Sequence, residues 1–301
     1  VTLGKIFHLI HMTGDLPSLE AWYDDVFAVR RGWLDHHYLD WEKRDASLIA
    51  LADVVIEPLA PAFREDGWEK YPLGRFYNKF GNHWHSIAWY CEDNGPIWRN
   101  LVDNNIRVLG TAGSSTDEPP AANATLMTHP KDTITQLEID PPRELRNKDP
   151  RLQPDYDPLW WVDNHPLGLH GLASTTVITK DLDRATRIFA NVLGGTVLER
   201  SSSTLTGTED VYVRVGEAVV QLSLPTDSDS IAGRDMSKNG EMHHAASFRV
   251  ADLDKAEAYL ATKGIETSSR NDDTILSDPE TTHGVPFRWT TKRIEGDTFA
   301  D

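Results

Sequence analysis

Apolar positions along the chain change period four times, from a strand-like run to a helix-like spacing. Segment 6–16, IFHLIHMTGDL, reads as a strand that stops at Asp15, after which Leu19, Trp22, Tyr23, Val26 and Phe27 recur at helical intervals. Asp15 is placed to cap that helix, and Pro17 falls in the first turn, where its missing N–H is harmless. The pattern returns at 172–182, LASTTVITKDL, before Ala185, Ile188, Phe189 and Val192 and the stop at Gly194-Gly195. It returns again at 244–253, HAASFRVADL, before Ala256, Tyr259, Leu260 and Gly264, and more loosely at 85–93, HSIAWYCED, before Ile97, Trp98 and Leu101. Glycine just past the last apolar position is a helix stop. Short β-rich stretches follow each helix, at 47–59, 125–140, 211–224 and 287–291.

Repetition at this scale outranks any single element in fixing the fold class. The reading is α+β: four βαβββ modules paired into two tandem barrels, because one such module leaves a face of its curved sheet uncovered and a second closes it around a cavity. The expected divisions are residues 1–145, a joining stretch 146–168, and residues 169–301. The join is rich in Pro, Asp, Asn and Arg, yet it carries Trp160 and Trp161, which predicts that it packs rather than hangs free. Residues 227–240 are polar and Gly-containing and read as a surface loop; 111–122 read the same way, with the added option of a lid at a cavity mouth.

Composition narrows the chemistry. A formal charge of −17, from 47 acidic against 30 basic residues with no basic stripe, argues against a nucleic-acid partner. No apolar run reaches the length of a membrane span, so a cytoplasmic protein acting on a small molecule is expected, with no membrane partner. Cys91 is the single cysteine, which leaves His, Asp and Glu to hold any metal. Of the ten Trp, seven fall in the first third, among them Trp22, Trp33, Trp41, Trp84, Trp89 and Trp98, which suits either core packing or a pocket for a flat substrate.

Polar residues inside the predicted strands are the candidates for function. His8 shares a strand face with Ile10 and Met12, and Glu57 interrupts the apolar run VVIEPL. His85 opens its strand on the face of Ile87 and Trp89, and Glu138 lies in ITQLEI. Each early module thus offers one His from its first strand and one Glu from its last. Buried carboxylates side by side repel, and each is costly unless paired; two neutral imidazoles and two carboxylates around one divalent cation (Zn, Ni, Co, Mn or Fe(II)) would relieve both problems. The plainer alternative makes each Glu a strand end and each His a satisfied core residue. Their repeated placement favours the joint site. His11 points to the opposite face from His8, His83 shares a face with His85 and could exchange with it, and His129 could approach the cavity mouth as a catalytic group or be a turn residue. In the later modules Ser174 matches His8, Gln221 matches Glu57, and Phe287, Arg288 or Trp289 matches Glu138; only His244, beside His243, survives. That half is expected to support the first or to line part of a shared pocket.

This pattern resembles the vicinal oxygen chelate superfamily, which includes glyoxalases, bleomycin-resistance proteins and extradiol dioxygenases; the resemblance covers about residues 1–140 and 170–291. It implies one metal per chain with open positions for two neighbouring substrate oxygens. His8, Glu57, His85 and Glu138 look like the four-ligand set of the glyoxalase I branch. An isomerase or lyase follows, with Glu138 as the standing ligand and Glu57 as the exchangeable base. The alternative is an Fe(II) extradiol-type dioxygenase using His8, His85 and Glu138, with His83, His129, Tyr77 or His36 as acid–base partners. Its two-domain relatives usually keep the metal in the second domain, which here is the depleted one. A binder without turnover would be expected to show a scrambled ligand set. Pairing of two chains about a two-fold axis is a further expectation.

Overall fold

The computed structural model describes residues 2–29, 32–110 and 115–297. The first module runs β1 (Leu3–Met12), α1 (Leu16–Phe27), β2 (Gly32–Leu39), β3 (Arg44–Leu51) and β4 (Val54–Pro61). After α2 (Pro72–Phe80), the second runs β5 (His83–Cys91), α3 (Asn94–Asp103), β6 (Val108–Leu109), β7 (Ser115–Thr116), β8 (Leu126–Thr128), α4 (Pro130–Thr133) and β9 (Gln136–Asp140). They form one sheet in the order β2-β3-β4-β1-β5-β9-β8-β6-β7. In each module the first strand lies parallel to the last, and β1 and β5 meet antiparallel at the centre.

The join contributes α5 (Glu144–Asn147) and α6 (Trp160–Asn164). It packs as its tryptophans predict: Trp161 is fully buried and donates from Nε1 to the Phe27 carbonyl at 2.6 Å. Arg151, in the same stretch, pairs with Asp149 and donates to the carbonyls of Ile6, Phe7 and Asp53.

The second half repeats the first. It comprises β10 (Leu169–Ile178), α7 (Leu182–Thr186) continued by a π turn at Arg187–Val192, β11 (Thr196–Ser203), β12 (Thr208–Val215), β13 (Ala218–Pro225), α8 (Ile231–Asn239), β14 (Met242–Val250), α9 (Leu253–Thr262), β15 (Thr267–Arg270), β16 (Thr274–Ser277) and β17 (Phe287–Thr290). The order β11-β12-β13-β10-β14-β17-β16-β15 reproduces the first sheet. The architecture is therefore α+β, with four tandem modules in two curled sheets. The Asp15 cap follows the sequence reading, accepting from Ser18 N, and the structure adds Asp181 accepting from Arg184 N for α7 and Asp252 from Lys255 N for α9.

One reading is corrected. Residues 227–240 hold a helix, α8, rather than a loop throughout. Ser230 caps it by accepting from Gly233 N, and Ala232 is buried against Ile178 and Met242 with Met236 alongside. Gly233 lies so close to the Asp227 carbonyl that a Cβ would meet it at 2.0 Å, so the glycine that suggested a loop is a packing requirement. Of the proposed lid at 111–122, residues 111–114 lie outside the described residues.

The sheets pack back to back through one apolar core shared by both halves, in which Phe27 meets Phe248 and Trp84 meets Phe287. Hairpin tips are exchanged across the seam. Asp53, between β3 and β4, accepts from Leu172 N of β10 at 2.8 Å, while Gly216, between β12 and β13, sits against the Gly4 carbonyl of β1. Each sheet consequently turns its other face outward, toward its own cavity. Among the described residues no helix is long and apolar enough to cross a membrane.

Candidate functional site

Four central strands of the first sheet carry the four candidate ligands, and three of these, His8, Glu57 and Glu138, reach one cavity while His85 is not in its wall. Ile10 pairs with Glu57 between β1 and β4, and Ala88 pairs with Glu138 between β5 and β9. Between β1 and β5, Ile6 faces Trp89, Leu9 faces Ile87 and His11 faces Trp84, so an extra residue is bulged out on β1 around Phe7 and His8 and another on β5 around His85 and Ser86. Bulges re-aim side chains beside functional sites. Here the first turns His8 into the cavity together with Phe7, and the second separates His85 from Ile87 and Trp89, which go into the core. The expected common face for His85, Ile87 and Trp89 is thus corrected: strict alternation fails at the bulge.

The cavity on this face measures about 680 Å³ and includes His8, Glu57, Glu138 and Arg44 in its wall. His8 Nε2 lies 3.3 Å from Glu57 Oε2 and 3.6 Å from Glu138 Oε2. Neither ring nitrogen of His8 has a hydrogen-bond partner, and neither does His85 Nδ1, although all three atoms are buried. Burial alone would strip the proton from His8, but the carboxylates of Glu57 and Glu138 beside it hold its pKa above the ordinary value. His85 packs edge-on against Phe76 of α2, and burial pushes its pKa down to about 4.

The two carboxylates are held differently. Glu138 Oε1 accepts from Ser86 Oγ at 2.6 Å and from Gln136 Nε2 at 3.3 Å. Burial opposes its ionisation, yet its contacts with His8 and Ser86 more than offset that and bring its pKa down to about 2. Glu57 instead faces Arg44 of β3, with Nη1 at 3.0 Å from Oε1, a charge contact not aligned as a hydrogen bond. Arg44 also pairs with Glu42 at 2.6 Å.

Other predicted residues go elsewhere. His129 is not brought to the cluster: it precedes α4, where its Nδ1 accepts from Lys131 N. His11 lies on the far face, bonded to Tyr23 OH at 2.9 Å. His83 turns to the second half, with Nε2 at 3.1 Å from Asp235 Oδ1 of α8. His36 stands near Glu20 and Asp45 at the rim of the sheet. Arg44, Ser86 and Gln136 were missed by the sequence reading; the last two stand opposite one another in register beside Glu138, a cross-strand pattern that could have marked them.

Donor chemistry can be tested against a metal. Among the described residues no three or more His, Cys, Asp or Glu side chains stand ready-formed as a metal-holding group. The separations of 3.3 and 3.6 Å around His8 Nε2 nevertheless resemble the spacing of neighbouring donors about one cation, about 3.4 Å for bonds near 2.1 Å in a tetrahedron. Orphaned imidazole nitrogens of His8 beside the Glu57 and Glu138 carboxylates suit such an ion.

Comparison with known proteins agrees with this architecture. The family model described as Glyoxalase/Bleomycin resistance protein/Dioxygenase superfamily matches residues 171–282. Residues 171–282 thus match a domain of this superfamily. The matched segment lies in the half whose ligand positions are replaced, and the first half repeats its fold. Among solved structures, a triple mutant of 4-hydroxymandelate synthase from Streptomyces coelicolor superposes with a TM-score of 0.63 over 96% of this chain and 92% of that chain, at 11% identity, a likeness of fold alone. Methylmalonyl-CoA epimerase from Mycobacterium tuberculosis is 24% identical over 40% of this chain and 87% of its own, with a TM-score of 0.37, too low to carry a functional argument. No curated protein matches the chain.

Proposed function

We propose that this vicinal-oxygen-chelate chain is a divalent-metal-dependent isomerase or lyase that removes a proton from carbon beside an oxygen function of a small substrate. One observation carries the reading: the buried carboxylate of Glu57 and the half-buried carboxylate of Glu138 converge on a single imidazole in a cavity of about 680 Å³, Glu138 tethered by hydrogen bonds and Glu57 not. A divalent cation held by His8, His85, Glu57 and Glu138 would supply Lewis acidity toward the substrate oxygen and so acidify the neighbouring C–H.

The residues then divide the work. Glu138, fixed by Ser86 and Gln136 and strongly acidic, is a poor base and a good permanent anion. Glu57 has no such tether and takes the proton on its carboxylate, leaving an enolate in the substrate. Returning that proton to the next carbon on the same face gives isomerisation; loss of a leaving group from the enolate gives elimination. Neither outcome changes the redox state, and Glu57 returns to its carboxylate form by giving the proton to the substrate or to water. Arg44 sets a positive charge beside Glu57, and apolar walls that include Phe7, Leu48 and Trp98 limit water.

The test is solvent-deuterium incorporation. Protein reconstituted with Zn, Ni, Co or Mn under anaerobic buffer is incubated in D2O with a panel of small carbonyl compounds bearing an acidic α-hydrogen, and exchange is read by NMR. Metal-dependent exchange that is lost in Glu57→Gln supports the reading. Failure to take up any metal, or turnover that requires Fe(II) and consumes oxygen, overturns it, the second result selecting the dioxygenase.

A further inference from the structure

The second sheet repeats the geometry of the first site with the opposite charge. Gln221 pairs with Thr176 as Glu57 does with Ile10, and Arg288 pairs with Ser247 as Glu138 does with Ala88. Ser174, Gln221, His244 and Arg288 therefore stand where the first sheet has His8, Glu57, His85 and Glu138. The first arrangement gathers two carboxylates and calls for a cation. The second has no carboxylate at these four positions and one guanidinium.

Arg288 is 5% exposed, and its hydrogen bonds among the described residues run from Nη1 to two neutral acceptors, Thr176 Oγ1 at 3.2 Å and Gln221 Oε1 at 3.0 Å. These contacts fix the guanidinium but do not neutralise it. Among the described residues no carboxylate reaches ion-pair distance of Arg288. Asp210 is the carboxylate whose field it feels, and Ser223 holds that residue at 2.6 Å. A buried guanidinium without a partnered anion is costly. It also lines a cavity of about 230 Å³ whose wall includes the hydroxyl-bearing Ser201, Ser203, Tyr212 and Thr290. Lys292 in that wall is already paired with Glu199 at 3.0 Å, and Asp273 is the acidic residue there, accepting from Thr274 at 2.8 Å.

We propose that the second half carries a ligand site of its own for a small oxyanion, a carboxylate- or phosphate-bearing molecule with polar substituents, which docks its anionic group on the Nε and Nη2 edge of Arg288. Hydroxyls of the wall receive the rest. The volume corresponds to about eight water molecules at liquid density, so the ligand is metabolite-fragment size rather than a nucleotide. This site is separate from the first cavity and needs no metal.

Isothermal titration calorimetry of the full chain with inorganic phosphate, malate and, as an uncharged control, glycerol tests the proposal. At least one anion is expected to saturate the protein, with affinity reduced by salt, while glycerol does not. Arg288→Met is expected to weaken that binding by about tenfold or more, the loss of a charge-assisted contact. Ser201→Phe, which fills the cavity from its half-buried rim and leaves Arg288 in place, is expected to do the same, and it decides the matter should the Arg288 variant fail to fold. Glu57→Gln, which alters the other cavity, should leave the affinity unchanged. No saturable binding of either anion, or binding that survives both cavity variants, overturns the site; binding lost only in Glu57→Gln assigns the anion to the first cavity and also overturns it.

Discussion

Arg44 Nη1 lies 3.0 Å from Glu57 Oε1, a half-buried guanidinium set against a buried carboxylate that also faces His8. Arg44 and a bound cation would share Glu57, so each lessens the need for the other. Arg44→Met should destabilise the metal-free protein by about 3 kcal/mol, because the carboxylate is left without its fixed counter-charge. Added Zn²⁺ should recover much of the loss. In thermal melts, the rise in Tm on adding metal is therefore expected to be larger in the variant than in the wild type; an equal or smaller rise would show that Arg44 and the metal do not share Glu57.

Glu57 and Glu138 should separate in their phenotypes. Glu57→Gln is expected to lower the exchange rate by about a hundredfold to ten-thousandfold, the range for losing a general base, while retaining part of the bound metal. Glu138→Gln is expected to lose the metal itself. Ser86→Ala, which removes the 2.6 Å hydrogen bond to Glu138, should weaken metal binding by about tenfold. Metal content by elemental analysis, set beside the exchange rate for each variant, checks the division; full occupancy in Glu138→Gln would refute it.

Much of this site was legible in the chain because the repeat carries it. His8, Glu57, His85 and Glu138 occupy repeated positions on first and last strands, and the parallel pairing of those strands brings three of them to one cavity wall. Periodicity could not supply the bulges that aim His8 and His85, since a two-residue alternation contains no sign of one extra residue. Arg44 was hidden because it opens a strand just before the apolar run that marked it. α8 was hidden because its buried face consists of small residues, Ala232 and Gly233, where packing rather than hydrophobicity holds the helix. Arg288 was one of three candidates until the register of β14 and β17 chose it.

Asp53 predicts a pH dependence of stability. Its carboxyl is enclosed where the hairpin tip meets β10, accepting from Leu172 N, and burial pushes its pKa from 3.8 up to about 6. Between those values the folded state keeps a proton that the unfolded chain has released, so stability falls as pH rises through this window and is level above it. The span corresponds to about 3 kcal/mol. Asp53→Asn retains the acceptor without the charge and should flatten the profile. Urea unfolding at about pH 4 and about pH 7 measures the difference; a profile equally steep in both proteins would place its source elsewhere.

Asp235 distinguishes the two histidines of β5. Its carboxylate faces His83 Nε2 at 3.1 Å and His244 Nδ1 at 2.5 Å, tying α8 and β14 to the first sheet. Burial works against its ionisation, but contacts with His244 and His83 pull its pKa far below the usual range, so its contribution to stability is present above about pH 4 and is lost on acidification. Asp235→Ala should cost about 3 kcal/mol, as expected for one partner of a buried charged contact. The large apolar seam should still make the protein unfold in one transition. Because His83 is engaged here and His85 Nδ1 has no partner, metal content should be unaffected by Asp235→Ala and by His83→Gln, and abolished by His85→Ala. Metal lost with His83→Gln but kept in His85→Ala would reverse the assignment of the two residues.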